Sequence, residues 1–525
     1  MKRRQSDKAR FSVPVAAVEV AAYLLLLIAV TLFWWLGHVE ILYYQEQYQM
    51  FQTTGEYLAD HLAVAGGVSV YVSEFLTQFN LYPFVGALFI AIELTAIAFC
   101  VVQLCSAHRG NVVLRACGLV VGAAAVWLLC WMMGDENLLP SFPVAVLIAL
   151  IGLNIILVPE SKKVRSLVAV VVLPLIYWCC ATSHYRIPHR FLSAPGFIEE
   201  KTEVLLYDKM VRQEEWTEII KAAEKKSPTH PLGVQALNLA LAQKRWLGDR
   251  MFAFKQIGTE GLLSPWRNNC VDCVISSEVA WHVGLVNTAF RYSFDSQEAI
   301  PDKRKSARLT KRMAECCIVN GDYRAAHKYL NRLSHTLLYS KWAARAEKLL
   351  GDDNKVAMHP VWGEKRNLRF KTDYLFNYPE QEKMYALLAT ESNGRNTMAW
   401  DYFNAAVLLK GDLPTFAGMS HYSQEMFHQT MLPRHQQEAW ALYWTSTHPT
   451  LDGIPVAIAT DIQQRIQAFA QQFMKSKGRF DGFEKPYDDT YWVYFLKKQQ
   501  AMAQAPMQTV DGTTSATALS SGHGE

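Results

Sequence analysis

Phe84–Cys105 reads FVGALFIAIELTAIAFCVVQLC, with a single charged side chain, Glu93, among aliphatic and aromatic neighbours. A helix rises about 1.5 Å per residue, so a hydrocarbon core about 30 Å thick takes roughly 20 such residues. This stretch meets that length by itself. Working outward, Ala17–Leu36 precedes it, and Val112–Met133, Phe142–Val158 and Leu167–Ser183 follow it, each predominantly apolar. A buried helix of a water-soluble protein rarely supplies one such run. Five in succession predict an all-α transmembrane bundle over residues 17–183, with Pro174 kinking the fifth span.

The short connections carry a charge signature. Lys2, Arg3, Arg4, Lys8 and Arg10 precede the first span, Arg109 and Arg115 follow the second, and Lys162, Lys163 and Arg165 follow the fourth. The alternate connections carry acids instead: Glu40, Glu46, Glu56, Asp60 and Glu74 after the first span, Asp135 and Glu136 after the third. Cationic loops stay on the cytoplasmic side. Residues 1–16 are therefore expected in the cytoplasm and everything after Ser183 outside. The first span runs into Trp34 and Trp35 with no A-x-A-like site behind it, so it reads as a retained anchor rather than a cleaved signal. Net charge is only +4, with no basic run after the N-terminus. That excludes nucleic acid as a partner, since neutralising phosphates takes clustered cations. Membrane lipid and an envelope protein or peptide are the partners expected.

Between the first two spans, residues 37–82 place Tyr44, Tyr48, Phe51, Leu58 and Leu62 at helical spacing, broken by Gly66–Gly67. A second aromatic face follows, with Tyr71, Phe75, Phe79 and Tyr82. The pattern predicts an external hairpin of two amphipathic helices lying at the membrane surface, where Tyr rings favour the headgroup level. The arrangement resembles the first external loop of multi-span glycosyltransferases that use lipid-linked sugars. That resemblance implies a catalytic carboxylate soon after the first span, at Glu40 or Glu46. The chain departs from the pattern in having fewer spans and Glu where those enzymes usually carry Asp. The preferred reading of the segment is a structural interface hairpin.

Glu93 is the intramembrane polar residue. It is either a proton or ion relay or a contact to a partner membrane protein, or else a protonated carboxyl bonded to a neighbouring helix near Asn154. The last is preferred, because a pump needs several such groups. Of the 10 Cys, those in or beside the spans act as small apolar residues. Cys270, Cys273, Cys316 and Cys317 lie in the external region, as buried thiols, a disulfide between the two pairs, or a metal set. Buried thiols are preferred, since adjacent residues on a helix point about 100° apart. No H-E-x-x-H, G-x-S-x-G or Walker pattern occurs, so no cofactor, metal or catalytic residue is assigned.

Residues 184–500 change character and read as helix, short turn, helix. Leu205–Pro228 is LLYDKMVRQEEWTEIIKAAEKKSP, Asn320–Leu333 is NGDYRAAHKYLNRL, and Trp400–Phe416 is WDYFNAAVLLKGDLPTF. A G-D-[YL] turn followed by a helix with small residues resembles the tetratricopeptide repeat, whose hairpins stack into a solenoid with binding grooves. The Thr-, Ser- and Gly-rich residues 501–525 read as a disordered tail.

Three stretches carry a resemblance over nearly the whole chain: Glu74–Gly86 (EFLTQFNLYPFVG), Tyr207–Ile220 (YDKMVRQEEWTEII) and Leu237–Phe254, ending LGDRMFAF. The chain resembles a family of uncharacterised bacterial multi-span inner-membrane proteins. The resemblance implies a periplasmic helical domain and brings no activity with it. Two functions from different classes are expected: a membrane-anchored scaffold whose external repeats bind an envelope protein or peptide, or a reduced glycosyltransferase-like enzyme.

Overall fold

The computed structural model describes residues 15–106, 112–134, 140–180, 199–265, 270–300, 304–372, 380–480 and 482–504. Within them every regular element is a helix and no strand occurs. Lys2–Arg10, Arg109, Asp135, Glu136, Ser183 and the tail from residue 505 fall outside these segments, and so does part of the charge signature.

Four helices are long and apolar enough to cross a membrane: Ala17–Gly37, Pro83–Ser106, Val113–Met133 and Lys162–Cys180. The fifth apolar segment is shorter than the others, a 17-residue helix Ser141–Leu157. Proline bounds it on both sides, Pro140 at its N-cap and Pro159 just past its end. Pro159 has no amide to donate to a preceding turn, so the ladder stops there. The last apolar helix starts earlier than expected, at Lys162, and runs through Pro174.

Small residues let the bundle close. Gly118 and Gly122 lie one turn apart on the helix Val112–Met133. A Cβ at Gly118 would sit 3.0 Å from the Val102 Cα, and one at Gly122 3.1 Å from the Ala98 carbonyl oxygen. This small-xxx-small spacing brings two backbones together where lipid offers no hydrophobic drive. Arg115 pairs with Glu19 at 3.2 Å, tying the third apolar helix to the first. Asn154 Nδ2 donates to the Cys100 carbonyl at 3.1 Å and ties the short helix to the second.

The segment between the first two apolar helices departs from the two-helix expectation. It forms three helices, Val39–Gln47, Gly55–Leu62 and Gly67–Thr77. The third begins after Gly66, whose φ of +86° is open to glycine at little cost. The first does not lie on the bilayer: Glu40, Ile41, Leu42, Tyr43, Gln45, Glu46 and Gln47 are all buried. Its Tyr and Gln faces suit a headgroup layer and a protein partner equally well, and here the partner is the C-terminal domain.

That domain is a run of helical hairpins. Glu199–Arg212 turns into Trp216–Lys225, Pro231–Gln243 into Leu247–Arg250, and Cys270–Val283 into Val286–Glu298. Ala307–Asn320 turns into Tyr323–Ser334, and Thr397–Lys410 into Leu413–Met419. One turn device recurs in all five. A left-handed residue ends the first helix, and the next amide reaches back five residues. The left-handed residues are Glu214, Arg245, Gly284, Gly321 and Gly411. The amides are Glu215 to Met210 (2.9 Å), Trp246 to Leu241 (2.7 Å), Leu285 to Ala280 (2.8 Å), Asp322 to Cys317 (2.9 Å) and Asp412 to Val407 (3.1 Å). Between hairpins the first helices are engulfed, and Leu232–Ala242 is buried at every position.

Candidate functional site: the joint between bundle and helical domain

The buried helix Val39–Gln47 presents Tyr43, Glu46 and Gln47 to the helical domain. Glu46 is 2% exposed. Its Oε2 receives Arg212 Nη2 at 2.7 Å, and its Oε1 accepts the Tyr339 hydroxyl at 3.0 Å. Arg212 also donates to that hydroxyl at 3.2 Å and stands over the Tyr43 ring, 5.4 Å from its centre. Gln213 donates to the Tyr43 hydroxyl at 2.5 Å. Gln47 Oε1 accepts from Arg308 Nη1 at 2.8 Å.

Arg308 carries the network inward. It grips Asp208 with two nitrogens, at 2.8 and 3.1 Å, and reaches Glu278 at 3.3 Å. Arg312, one turn on, donates to Glu278 at 2.6 Å and Glu315 at 2.8 Å. Its guanidinium lies 4.4 Å from the Trp281 ring centre. Planar guanidinium forks suit this bidentate, stacked geometry better than a lysine would. Burial alone would raise the Glu278 carboxyl, but Arg312 and Arg308 outweigh it and hold it at about 2. Burial opposes the charge on Arg212 too, and Glu46 more than restores it. Burial and then the Glu46 charge push the Tyr339 phenol well above its ordinary range, so it stays a donor.

Beside this network lies a less balanced pair. Lys365 is 6% exposed, and its ammonium donates to the His282 carbonyl at 2.9 Å. Burial lowers it to about 8. Burial, and after it the Lys365 charge, drop the His282 imidazole to about 3, so the ring is neutral. Its Nδ1 meets the Gln243 amide at 3.0 Å.

The residues singled out in the sequence are scattered by comparison. Glu46 is in the joint with both oxygens engaged. Glu40 is 5% exposed just past the first apolar helix, 3.6 Å from His38 Nδ1. Glu93 is 9% exposed within the bundle, and its Oε1 has no hydrogen-bond partner among the described residues. The Asn154 amide nitrogen donates to the Cys100 and Leu150 carbonyls. Cys273, Cys316 and Cys317 are buried thiols, and burial pushes Cys317 up to about 12. The Cys270 side chain lies outside the described residues. Among the described residues no group of His, Cys, Asp or Glu could hold a metal.

Sequence reading did not single out Asp208, Arg212, Glu278, Arg308, Arg312 or Tyr339. A local signal existed. Asp208 and Arg212, and likewise Arg308 and Arg312, recur at i, i+4, with apolar neighbours such as Met210 and Val211, and Leu309 and Met313, beside them. A charged stripe sandwiched in this way marks ion pairs rather than a solvated face.

Comparison with known proteins gives one match. The model of DUF6057, described as a family of unknown function, covers residues 14–187 and 183–498. No curated protein and no solved structure matches the chain.

Proposed function

The chain belongs to DUF6057, a family of unknown function, and from its own geometry we propose that it is a membrane-anchored scaffold whose helical domain binds a polypeptide segment of another envelope protein. The observation that carries this reading is the hairpin turn used five times over. Equivalent helical hairpins, each ended by a left-handed residue and a five-residue back-bond, are the unit from which tetratricopeptide-like solenoids are stacked, and stacking makes extended surfaces suited to peptides. The described Lys and Arg of the bundle, namely Arg115, Lys162, Lys163 and Arg165, lie in the first turns of their helices, at the ends read as cytoplasmic. They support a bacterial inner-membrane setting with the N-terminus inside and the helical domain in the periplasm.

The joint supports the same function. A domain that presents a surface at fixed height and angle needs a rigid mount, and Glu46, Gln47 and Tyr43 supply one. The enzyme alternative rests on Glu40 alone, because both oxygens of Glu46 are already held by Arg212 and Tyr339.

Photo-crosslinking amino acids at Met358 and Met431, which are 83% and 53% exposed, test the reading in living cells. The expected result is a discrete crosslinked protein that is lost when neighbouring exposed residues change, and a phenotype that survives Glu40→Gln. Absence of any crosslinked protein, with a phenotype abolished by Glu40→Gln, would overturn the scaffold in favour of chemistry. Topology is tested separately: alkaline phosphatase fused after His184 should be active and a green fluorescent fusion dark. The opposite pattern would place the helical domain in the cytoplasm.

A further inference from the structure

Residues 323–348 carry six Lys or Arg, namely Arg324, Lys328, Arg332, Lys341, Arg345 and Lys348, against one acid, Glu347. They lie on two adjoining helices, Tyr323–Ser334 and Ser340–Glu347, and just past the second. The spacings i, i+4, i+8 and i, i+4, i+7 put each set of three on one helix face. The opposite faces hold Ala326, Leu330 and Leu333, and Ala343 and Ala346, all buried. The basic faces therefore point out of the domain, and all six cations are exposed. None of them makes an ion pair or side-chain hydrogen bond with the described residues. The single acid, Glu347, meets His327 Nδ1 at 2.6 Å.

Elsewhere in the domain exposed cations commonly have a carboxylate of their own. Lys221 has Glu218, Arg250 has Glu224, Lys305 has Glu298 and Lys410 has Glu382. Along each helix the unmatched charges sit a turn apart, about 6 Å between Cβ atoms, inside the roughly 10 Å Debye length, and repel one another. Such a face is stabilised when anions come to it.

Its position says which anions. The turn between the two helices is fastened to the membrane-proximal segment. The His335 carbonyl accepts from the Thr53 amide at 2.8 Å and from its hydroxyl at 3.0 Å. Tyr339 is bonded to Glu46. Thr53 leads directly into Gly55–Leu62, whose Leu58 and Leu62 side chains are exposed. The next turn, at Gly66, donates to the Trp178 carbonyl, near the end of the last apolar helix. This segment thus sits at headgroup level, and it holds the start of the basic face beside it.

We infer that the basic face of residues 323–348 binds the phosphates of anionic phospholipid headgroups in the leaflet next to the helical domain. Each cation near an anionic surface strengthens association with it about fivefold, and several act together. The binding is independent of any peptide-binding surface.

The test uses the full chain in nanodiscs. A fluorophore on Asn331→Cys, an exposed position between the cations, reports energy transfer to acyl-labelled lipid present at a trace level. Transfer to phosphatidylglycerol should exceed transfer to phosphatidylcholine several-fold, and about 1 M salt should erase the difference through screening. Lys328→Glu with Arg332→Glu and Lys341→Glu should also erase it, while the melting temperature stays unchanged. Equal transfer to both lipids would overturn the inference. Binding of poly-L-glutamate to the face in neutral nanodiscs, without any preference for phosphatidylglycerol, would overturn it too and reassign the face to an acidic polypeptide.

Discussion

Replacing Arg308 by Met removes the centre of the joint while keeping the length and much of the volume of its side chain. Arg308 is 7% exposed and serves Gln47, both oxygens of Asp208, and Glu278. The substitution leaves Asp208 without its bidentate partner and Glu278 with Arg312 alone. Removing one member of a buried pair costs about 3–5 kcal/mol, because the orphaned charge keeps its desolvation penalty. For a domain of this size about 2 °C of melting temperature corresponds to each kcal/mol. The expected drop is therefore about 6–10 °C in thermal unfolding of the detergent-solubilised chain.

Two controls make the number interpretable. Lys221→Ala removes an exposed pair with Glu218, both side chains 57% open, and should leave the melting temperature unchanged. Arg308→Met combined with Asp208→Asn should recover part of the loss, since the uncompensated carboxylate goes with its partner. A single Arg308→Met variant that melts within about 2 °C of the parent would refute the reasoning. The network would then be a set of contacts too weak to stabilise the part of the helical domain that Gln47 meets.

The other predictions concern pH, the turns and the bundle. Histidine in an unfolded chain titrates near 6.5, whereas His282 is held down at about 3. Its linkage term is absent above pH 6.5 and destabilises the fold progressively as pH falls below it, so His282→Gln should flatten the stability loss between pH 6.5 and 5; an unchanged slope would count against a neutral, buried ring. The Glu278 contribution has the same sign at lower pH, complete above its ordinary value of 4.5 and lost toward about 2, and Glu278→Gln should remove that acid limb. Glu214 holds a left-handed φ of +55°, which costs a non-glycine residue about 1 kcal/mol, so Glu214→Gly should raise the melting temperature; a decrease would mean that its side chain contributes more than its backbone loses. Gly122→Leu drives a side chain into the Ala98 backbone, 3.1 Å from a bare Cβ, and should lower the yield of folded protein, whereas Gly37→Ala, with nothing within 4 Å, should not.

The bundle was legible because the hydrocarbon core imposes a local rule: a spanning helix must be apolar over its own length. Phe84–Cys105 announces itself without reference to any other part of the chain. The hairpin turns were legible for a similar reason, since Gly321 and Gly411 meet a backbone need inside five residues. The joint was not, because its pairs are remote. Glu46 meets Arg212 across 166 residues, and Gln47 meets Arg308 across 261. Nothing in VEILYYQEQ distinguishes a helix whose Tyr and Gln side chains face headgroups from one whose same side chains face Arg212 and Arg308. Glu93 falls between these cases: its cost in an apolar helix is local and visible, but whether anything pairs with it depends on helices packed around it.

The joint also bears on what kind of protein would be built this way. A buried ion network is a poor route to stability, since apolar residues of the same volume often serve as well or better. What such a network enforces is geometry: Asp208 and Glu278, within the helical domain, hold the Arg308 guanidinium where Gln47 meets it, while Glu46 meets Arg212 and Tyr339 in the same docking pose. A helical domain that only needed tethering would manage with the connection between Cys180 and Glu199. Instead the chain folds Val39–Gln47 back between bundle and domain and buries charges to fix the angle. That expenditure makes sense when one face of the domain must meet something held in the plane of the membrane. The same docking fastens His335 to Thr53 and keeps the cations of residues 323–348 beside the headgroups. If Arg308→Met loosens the joint, the preference of that face for acidic lipid should therefore weaken as well, although none of the six cations has changed; a preference that survived intact would mean that the basic face finds the bilayer without the joint.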